Sequence, residues 1–387
     1  MFAFCENMDD AKKADAFSFY INRVSRLNSR GKADEEEEDD DEDLDLTDSQ
    51  RNSKKMANLH ALRRQTGLET GHFTFNVFCN SAHVIFQETT KDCHTVVMAS
   101  GTLSPLDGID AEFRTDFKKI CIRANEVFDP SRIFGAIIKY TLNGEPLNLM
   151  AGKVEKEIEK NGFSRSLRES LKIVSVICKA TSNGVLVYAS SYEMLRKLRF
   201  EFEKLNQAAF GQKVVIWEDP DPRLFETQVN NYTTAASGDG AVLFAVCRGK
   251  MSEGIDFKDK LARAVIILGW PYPSISDPQF KSKKAYDSDQ FERAQRREVE
   301  GNYQWLGGQE LVYIRLYRAL NQAAGRAIRH KKDYGAIILI HSEHTHNHKY
   351  ITDLMMNPKS LCKNENTIAI LTELQNWMKQ KSDEMIV

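Results

Sequence analysis

The chain has 387 residues, enough for two or three domains, and its 42% hydrophobic and 28% charged content is that of a folded protein rather than a disordered or fibrous one. No apolar run reaches about eighteen residues, which argues against a transmembrane helix, and the first residues turn acidic too early for a secretory signal. The seven cysteines are odd in number and include no CxxC pair, which argues against a disulfide framework or a zinc site and for a reducing compartment.

The net charge of −2 conceals an asymmetry. Residues 34–45 carry eleven carboxylates and no basic residue, and setting them aside leaves the remainder net positive, which is compatible with a nucleic-acid partner. Like charges repel and little apolar surface is present to repay ordering. Residues 28–58 therefore read as a disordered linker, and residues 1–71 as a largely disordered acidic segment.

From residue 72 the pattern changes. HFTFNVFC alternates as a strand does, and His94–Ser100 (HTVVMAS) is a short apolar run that reads as another strand, ending at SGT. Buried strands follow at VLVYA (185–189), KVVIW (213–217), AVLFAVC (241–247), RAVIIL (263–268) and YGAIILI (334–340). Between them lie helices, one with Leu195, Leu198 and Phe202 on one face and a polar one at 223–236. Short apolar strands separated by helices predict an α/β fold with a mostly parallel sheet covered on both faces. Ligands of such sheets bind in the loops that follow the strands.

The segment 309–330 (QELVYIRLYRALNQAAGRAIRH) predicts one long helix. On it Arg315, Arg318, Gln322, Arg326 and Arg329 form a single polar stripe, with Gly325 in mid-helix at a cost of roughly 1 kcal/mol relative to Ala. Arginine forks suit phosphate oxygens, but the same stripe also suits a structural ion-pair network. In the loop GKMSEGIDF (249–257), Gly249 and Gly254 relax the backbone. Glu253 and Asp256 can orient the arginines or accept from a ribose hydroxyl. This loop is not a GxxxxGK[ST] phosphate loop, and it also reads as an ordinary strand-to-helix turn. In ASGTLSP (99–105), Thr102 and Ser104 are candidates for phosphate contact or for helix capping. His341, His344, His346 and His348 cluster after the last strand; an exposed turn is the simpler reading, and no metal ligand is assigned.

Taken in order, ASGTLSP, LVYASSYEML, RGKMSEGIDF and QAAGRAIRH resemble motifs III, IV, V and VI of superfamily 2 helicases. The resemblance is to the XPD-like iron–sulfur group, and within it to the Fanconi anaemia group J branch. It implies a RecA-like second motor domain and an ATP-dependent 5′ to 3′ DNA helicase of nuclear DNA repair. Its implied cofactors are ATP and Mg²⁺. Its implied partners are single-stranded or forked DNA and DNA-repair proteins, with no membrane. By the same resemblance Arg326 and Arg329 reach the γ-phosphate, and Gln322 contacts that phosphate or the attacking water. Gly254, Asp256, Glu253 and Gly325 line the nucleotide. Ser100 and Thr102, with Gly101, couple hydrolysis to strand movement. Ser190, Ser191, Tyr192 and Ser252 lie along the nucleic acid.

The chain departs from the group in lacking a Walker A loop and a DEAH box. The cluster-binding cysteines lie between those two motifs, so no iron–sulfur cluster is expected in this chain. The expected layout is residues 72–108 as the end of a first motor domain and 109–387 as the second. The expected behaviour is that of a helicase fragment inactive by itself. The competing reading is a non-catalytic module that binds single-stranded DNA or a helicase partner.

Overall fold

The computed structural model describes residues 16–24, 72–100, 103, 105–117, 129–205, 207–253, 255–273, 277–296, 304–342, 350–351 and 353–384. The acidic run at 34–45 lies outside them. The chain divides into two compact units between Val84 and Ile85.

In the first unit, strand β1 (Phe17–Val24) pairs antiparallel with β2 (His72–Cys79), Phe17 lying opposite Cys79. Cross-strand rings approach at 5.6 Å (Phe19–Phe75) and 5.7 Å (Tyr20–Phe78). This strand is an ordered element within the segment 1–71 that the sequence reading did not expect; the rest of that segment lies outside the described residues. FSFYINRV is aromatic and β-branched enough to pair with a distant partner, and the neighbouring charge run hid that signal.

Helix α1 (Ala82–Thr90) leads into the second unit. The strand expected at His94–Ser100 does not form: these residues have no regular structure, and Val97 is 83% exposed. A β-prone run becomes a strand only when a neighbouring strand completes its ladder, and none among the described residues is paired with it. Helix α2 (Leu106–Phe113) follows, joined to α1 by a cluster of Phe86, Phe113 and Phe117.

The main domain then runs β3 (Ile133–Ile138), α3 (Ala151–Asn161), α4 (Arg165–Ala180), β4 (Gly184–Ala189), α5 (Tyr192–Glu203), β5 (Val214–Trp217), α6 (Phe225–Ser237), β6 (Ala241–Val246), α7 (Lys250–Glu253), β7 (Ala264–Leu268), α8 (Pro278–Gln295), α9 (Gly308–Ala324), β8 (Gly335–Ile340), α10 (Asp353–Met356) and α11 (Thr367–Glu384). Its six strands form a parallel sheet in the order β3-β8-β7-β4-β6-β5. The α/β class and the parallel sheet are as the sequence predicts, with β3 an additional strand beyond those expected.

Strands β4, β6, β7 and β8 are buried along their whole length. Alternate residues serve opposite faces. Val185, Val187, Phe244, Ile266 and Ile338 join the core beneath α4, α5 and α11, while Leu186, Tyr188, Leu243, Ile267 and Ile337 join the core beneath α6 and α9. Both faces being covered is why these segments read as unbroken apolar runs rather than alternating ones. Edge strand β5 is partly exposed, and its Trp217 stacks on Phe244 at 4.1 Å.

Helices α4 and α5 start at side-chain caps. Ser164 accepts from the Leu167 N–H, and Ser191 accepts from the Met194 N–H. Behind Ser164 the fully buried Glu201 accepts from the Ser164 N–H at 3.1 Å and from Arg168 Nε at 2.6 Å.

Where β7 and β8 begin, Arg263 and Asp333 form a buried ion pair at 2.6 Å, their side chains 4% and 2% exposed. Arg263 also donates to the Tyr334 carbonyl, and Asp333 accepts from the Tyr334 and Arg329 N–H groups. A fully bonded buried pair is costly to break from one side and cheap to replace from both. Asp333→Ala is expected to lower unfolding free energy by about 3–5 kcal/mol, and the joint change Arg263→Met with Asp333→Leu by much less. Urea denaturation of the three proteins measures both.

Candidate nucleotide and nucleic-acid site

Helix α9 ends at Ala324, and Gly325 is its C-cap with φ −63° and ψ −6°. This corrects the single helix expected over 309–330 and the mid-helix placement of Gly325. Arg326 N–H bonds to the Ala323 carbonyl and Ala327 N–H to the Ala324 carbonyl, three-residue bonds that tighten the chain out of the α-helix. The arginine stripe is thereby broken into two groups with different partners.

The first group is structural. Arg315 pairs with Glu112 of α2 at 2.6 Å, and Arg318 lies 3.6 Å from the same carboxylate. Close approach of the two helices makes this reach available, because a Cβ on Gly108 would collide with Ile314 and press on Arg318. The Lys283–Asp287 pair of α8 stands beside them: Lys283 acts electrostatically on Glu112, and Arg315 on both members of the pair. Burial raises the Glu112 carboxyl, but Arg315 and Arg318 outweigh it and hold the group below its ordinary value. For these two arginines the ion-pair reading holds.

The second group lies along the connection from α7 to β7. Arg326 Nη1 donates to the Ile255 carbonyl at 2.8 Å. Arg329 donates its N–H to Asp333 at 3.1 Å, and its guanidinium stands 3.3 Å from Asp256, itself 54% exposed. The Lys258 ammonium, and beyond it Arg329 and Arg326, keep the Asp256 carboxyl below the usual range. Tyr188, at the end of β4, is fully buried with a hydroxyl that has no hydrogen-bond partner among the described residues. Its phenol is raised by burial, against an opposing pull from Arg326. Gln322 is exposed on the last turn of α9.

A separate cluster forms where β4, β5 and β6 end. Ser190 is half-buried and Ser191 is the exposed N-cap of α5. Tyr192 donates to Glu218 at 3.0 Å; burial and then this carboxylate push its phenol up to about 12. Ser252 is buried and donates to the Gly249 carbonyl at 2.8 Å, so its hydroxyl closes a turn rather than facing a ligand, which corrects its placement along the nucleic acid. The exposed residues of this turn are Arg248 and Lys250, and Arg248 also donates to the Arg315 carbonyl at 2.9 Å. Sequence reasoning passes over these two and over Glu218. A basic pair flanking a turn glycine is the available signal for the first two, and Glu218 has none.

Ser100 is exposed in the irregular segment before α2. Gly101, Thr102, Ser104, Gly254 and the Glu253 side chain lie outside the described residues, as do His344, His346 and His348. His341 is fully buried at the end of β8, not on an exposed turn: it faces the Leu149 N–H at 3.3 Å and the Trp270 ring.

Among the described residues one group of metal-ligand type converges: Asp259, His330 and Asp333, their ligand atoms within 4.8 Å of one another. His330 hydrogen-bonds Asp259 at 2.9 Å, and Asp333 is occupied by Arg263 and two backbone N–H groups, so hydrogen bonding accounts for the group. The five cysteines among the described residues are free. Cys178 and Cys247 are buried, their thiols pushed up to about 12, while Cys79 lies on β2, Cys93 just after α1 and Cys362 between α10 and α11.

Residues 174–357 match the family of helicase C-terminal domains. The matched segment runs from within α4 to just past α10, and both clusters fall within it. The chain is 34% identical over 319 residues to a Fanconi anemia group J protein homolog of Gallus gallus, covering 80% of this chain and 24% of that protein. It is 31% identical over 280 residues to a regulator of telomere elongation helicase 1 homolog of Oryza sativa subsp. japonica, covering 68% of this chain and 26% of that protein. The chain thus spans about a quarter of the length of these curated relatives. Among solved structures, an XPD helicase aligns with 70% of this chain and 43% of its own at TM-score 0.45 and 18% identity. The S. tokodaii Xpd4 structure aligns with 75% and 48% at TM-score 0.45 and 20% identity. No described helix is long and apolar enough to cross a membrane.

The Glu112 pair gives a pH signature. A carboxyl held low in the folded state contributes stability above its unfolded value, near 4.5, and loses it as pH falls through the folded value. Wild type should exceed Glu112→Gln in stability at about pH 6, and the gap should close toward about pH 3. Denaturation midpoints of the two proteins across that range test it; a constant gap contradicts the pairing.

Proposed function

We propose that this chain is the second, RecA-like motor domain of an ATP-dependent DNA helicase that moves 5′ to 3′ on single strands in nuclear DNA repair. In this reading residues 109–387 are that domain and 72–108 the end of the motor domain before it. The observation that carries the reading is the placement of Arg326 and Arg329. They leave α9 at Gly325 and are braced from behind by the Ile255 carbonyl, Asp256 and Asp333. The helicase names of the relatives support it.

The residues present fit a nucleotide's terminal phosphates in part. Arg329 keeps 30% of its side chain exposed beside an exposed carboxylate, and guanidinium forks match phosphate oxygens. Bound ATP supplies the phosphoanhydride whose cleavage drives the cycle. Arg326 and Arg329 stabilise the charge that develops on the transferring phosphoryl group, a contribution worth roughly 10³–10⁵ in rate for arginine fingers in general. Gln322 lies one turn away on α9 and orients the attacked phosphate or the water. Side chains that hold Mg²⁺ and the β-phosphate belong to a Walker A loop and a DEAH box, which this chain does not contain. DNA is gripped through its backbone by Arg248, Lys250, Ser190 and Ser191, a sequence-independent mode.

This reading expects the chain to bind labelled single-stranded DNA in a salt-sensitive way and to hydrolyse no ATP, with or without DNA. DNA-stimulated turnover that disappears in Arg329→Ala would overturn the second expectation, and absence of binding at low salt the first. In a protein carrying both motor domains, Arg326→Ala or Arg329→Ala should lower turnover by at least about a hundredfold and leave DNA affinity intact.

A further inference from the structure

Glu218 is the first residue after β5, an edge strand, yet it is only 5% exposed. Both of its carboxylate oxygens are engaged. Oε2 accepts from the Val246 N–H at 2.7 Å, and Oε1 accepts from the Met251 N–H at 3.2 Å and the Tyr192 hydroxyl at 3.0 Å. Its own N–H donates to the Phe244 carbonyl at 2.8 Å. The three donors come from three segments: the end of β6, helix α7 and the start of α5. Gly249 closes the fourth side. A Cβ there would lie 2.7 and 2.8 Å from the two carboxylate oxygens, so only glycine leaves the carboxylate its place.

The chain reverses tightly around this group. Gly249 N–H bonds to the Val246 carbonyl at 2.9 Å, Ser252 N–H bonds to the Gly249 carbonyl at 3.0 Å, and Arg248 takes the left-handed region at φ 65°. That region is unfavourable for a residue with a side chain and persists only where the surroundings impose it. The result is a turn whose Cys247, Gly249, Met251 and Ser252 are buried while Arg248 and Lys250 stay exposed.

We infer that Glu218 is the positioning residue of the nucleic-acid surface, its carboxylate locking the 247–252 turn to the start of α5 so that both present one grip on a phosphodiester backbone. The inference rests on the proposed role of these segments in binding single strands. Glu218 touches no nucleic acid itself. It acts by fixing where Arg248 and Lys250 stand relative to Ser190 and Ser191. A carboxylate is required because backbone N–H donors face both of its oxygens. In Glu218→Gln, whichever way the amide is turned, its NH₂ meets either the Val246 or the Met251 N–H, and one donor loses its acceptor.

The test is equilibrium binding of a fluorescent oligothymidylate to the full chain over a series of salt concentrations. Wild type, Glu218→Gln, Tyr192→Phe, Lys250→Ala and Arg248→Ala are compared. The expected result is about tenfold weaker binding in Glu218→Gln at low salt, with the slope of log affinity against log salt shallower by about 0.7 for each phosphate no longer neutralised. Tyr192→Phe removes one arm of the lock and should fall between wild type and Glu218→Gln. A purely structural role predicts a smaller active fraction with unchanged slope and unchanged affinity in the folded remainder, and that result overturns the inference. Lys250→Ala separates the two levels of the argument. If it weakens binding while Glu218→Gln matches wild type, the positioning role fails and the surface stands. If Lys250→Ala and Arg248→Ala both bind as wild type does, the surface itself is wrong. Should Glu218→Gln not fold, Tyr192→Phe decides, and an unchanged slope in that variant overturns the inference.

Discussion

A parallel sheet with both faces covered leaves polar chemistry nowhere to go except the strand ends. In this domain four strands are buried throughout, and the helices on either side use their inward faces for apolar packing. Every group with the charge to handle phosphate is therefore pushed to the sheet's margins or to the connections between strands. The positions of Ser190–Tyr192, Arg248–Lys250 and Arg326–Arg329 are consequences of that exclusion.

Two buried carboxylates organise those margins. Glu218 collects donors where β4, β5 and β6 end, and Asp333 collects them where β7 and β8 begin. Burying a carboxylate is unfavourable unless its oxygens are satisfied, and here each oxygen has at least one donor. The arrangement is rigid for the same reason that it is stable: moving any one donor leaves a charge under-bonded in a low-dielectric setting. Asp333 ties Arg329 to the buried Arg263, and Glu218 ties the 247–252 turn to α5. Such anchors fix where the side chains around them stand.

The sequence disclosed the sheet better than the site. Runs such as AVLFAV and GAIILI could hardly be anything but doubly covered strands, because no exposed face tolerates them. His94–Ser100 shows the limit of that logic: the same kind of run has no partner ladder and stays irregular. The arginine stripe failed differently. Periodicity assumes that the helix continues, and Gly325 ends it with tighter bonds, so residues with helical spacing acquired unrelated neighbours. Ser252 misled because a hydroxyl in a loop looks available until its turn bond is seen. Glu218 was invisible, since one acidic residue after an edge strand carries no pattern. Its importance lies in partners 26 to 33 residues away.

The split of the stripe also changes what α9 does. Spacing alone makes its arginines one device, but they serve two. Arg315 and Arg318 fasten α9 to α2, the helix that directly follows the SGT segment, through the single carboxylate of Glu112. Arg326 and Arg329 sit past the C-terminal end of the same helix. The helix is thus held along its length by an ion pair and carries Arg326 and Arg329 just past its tip. The backbone carbonyl of Arg315 adds a second link, because it accepts from Arg248 in the turn that Glu218 holds. The arginine pair, the basic turn and α2 are thus joined through one helix.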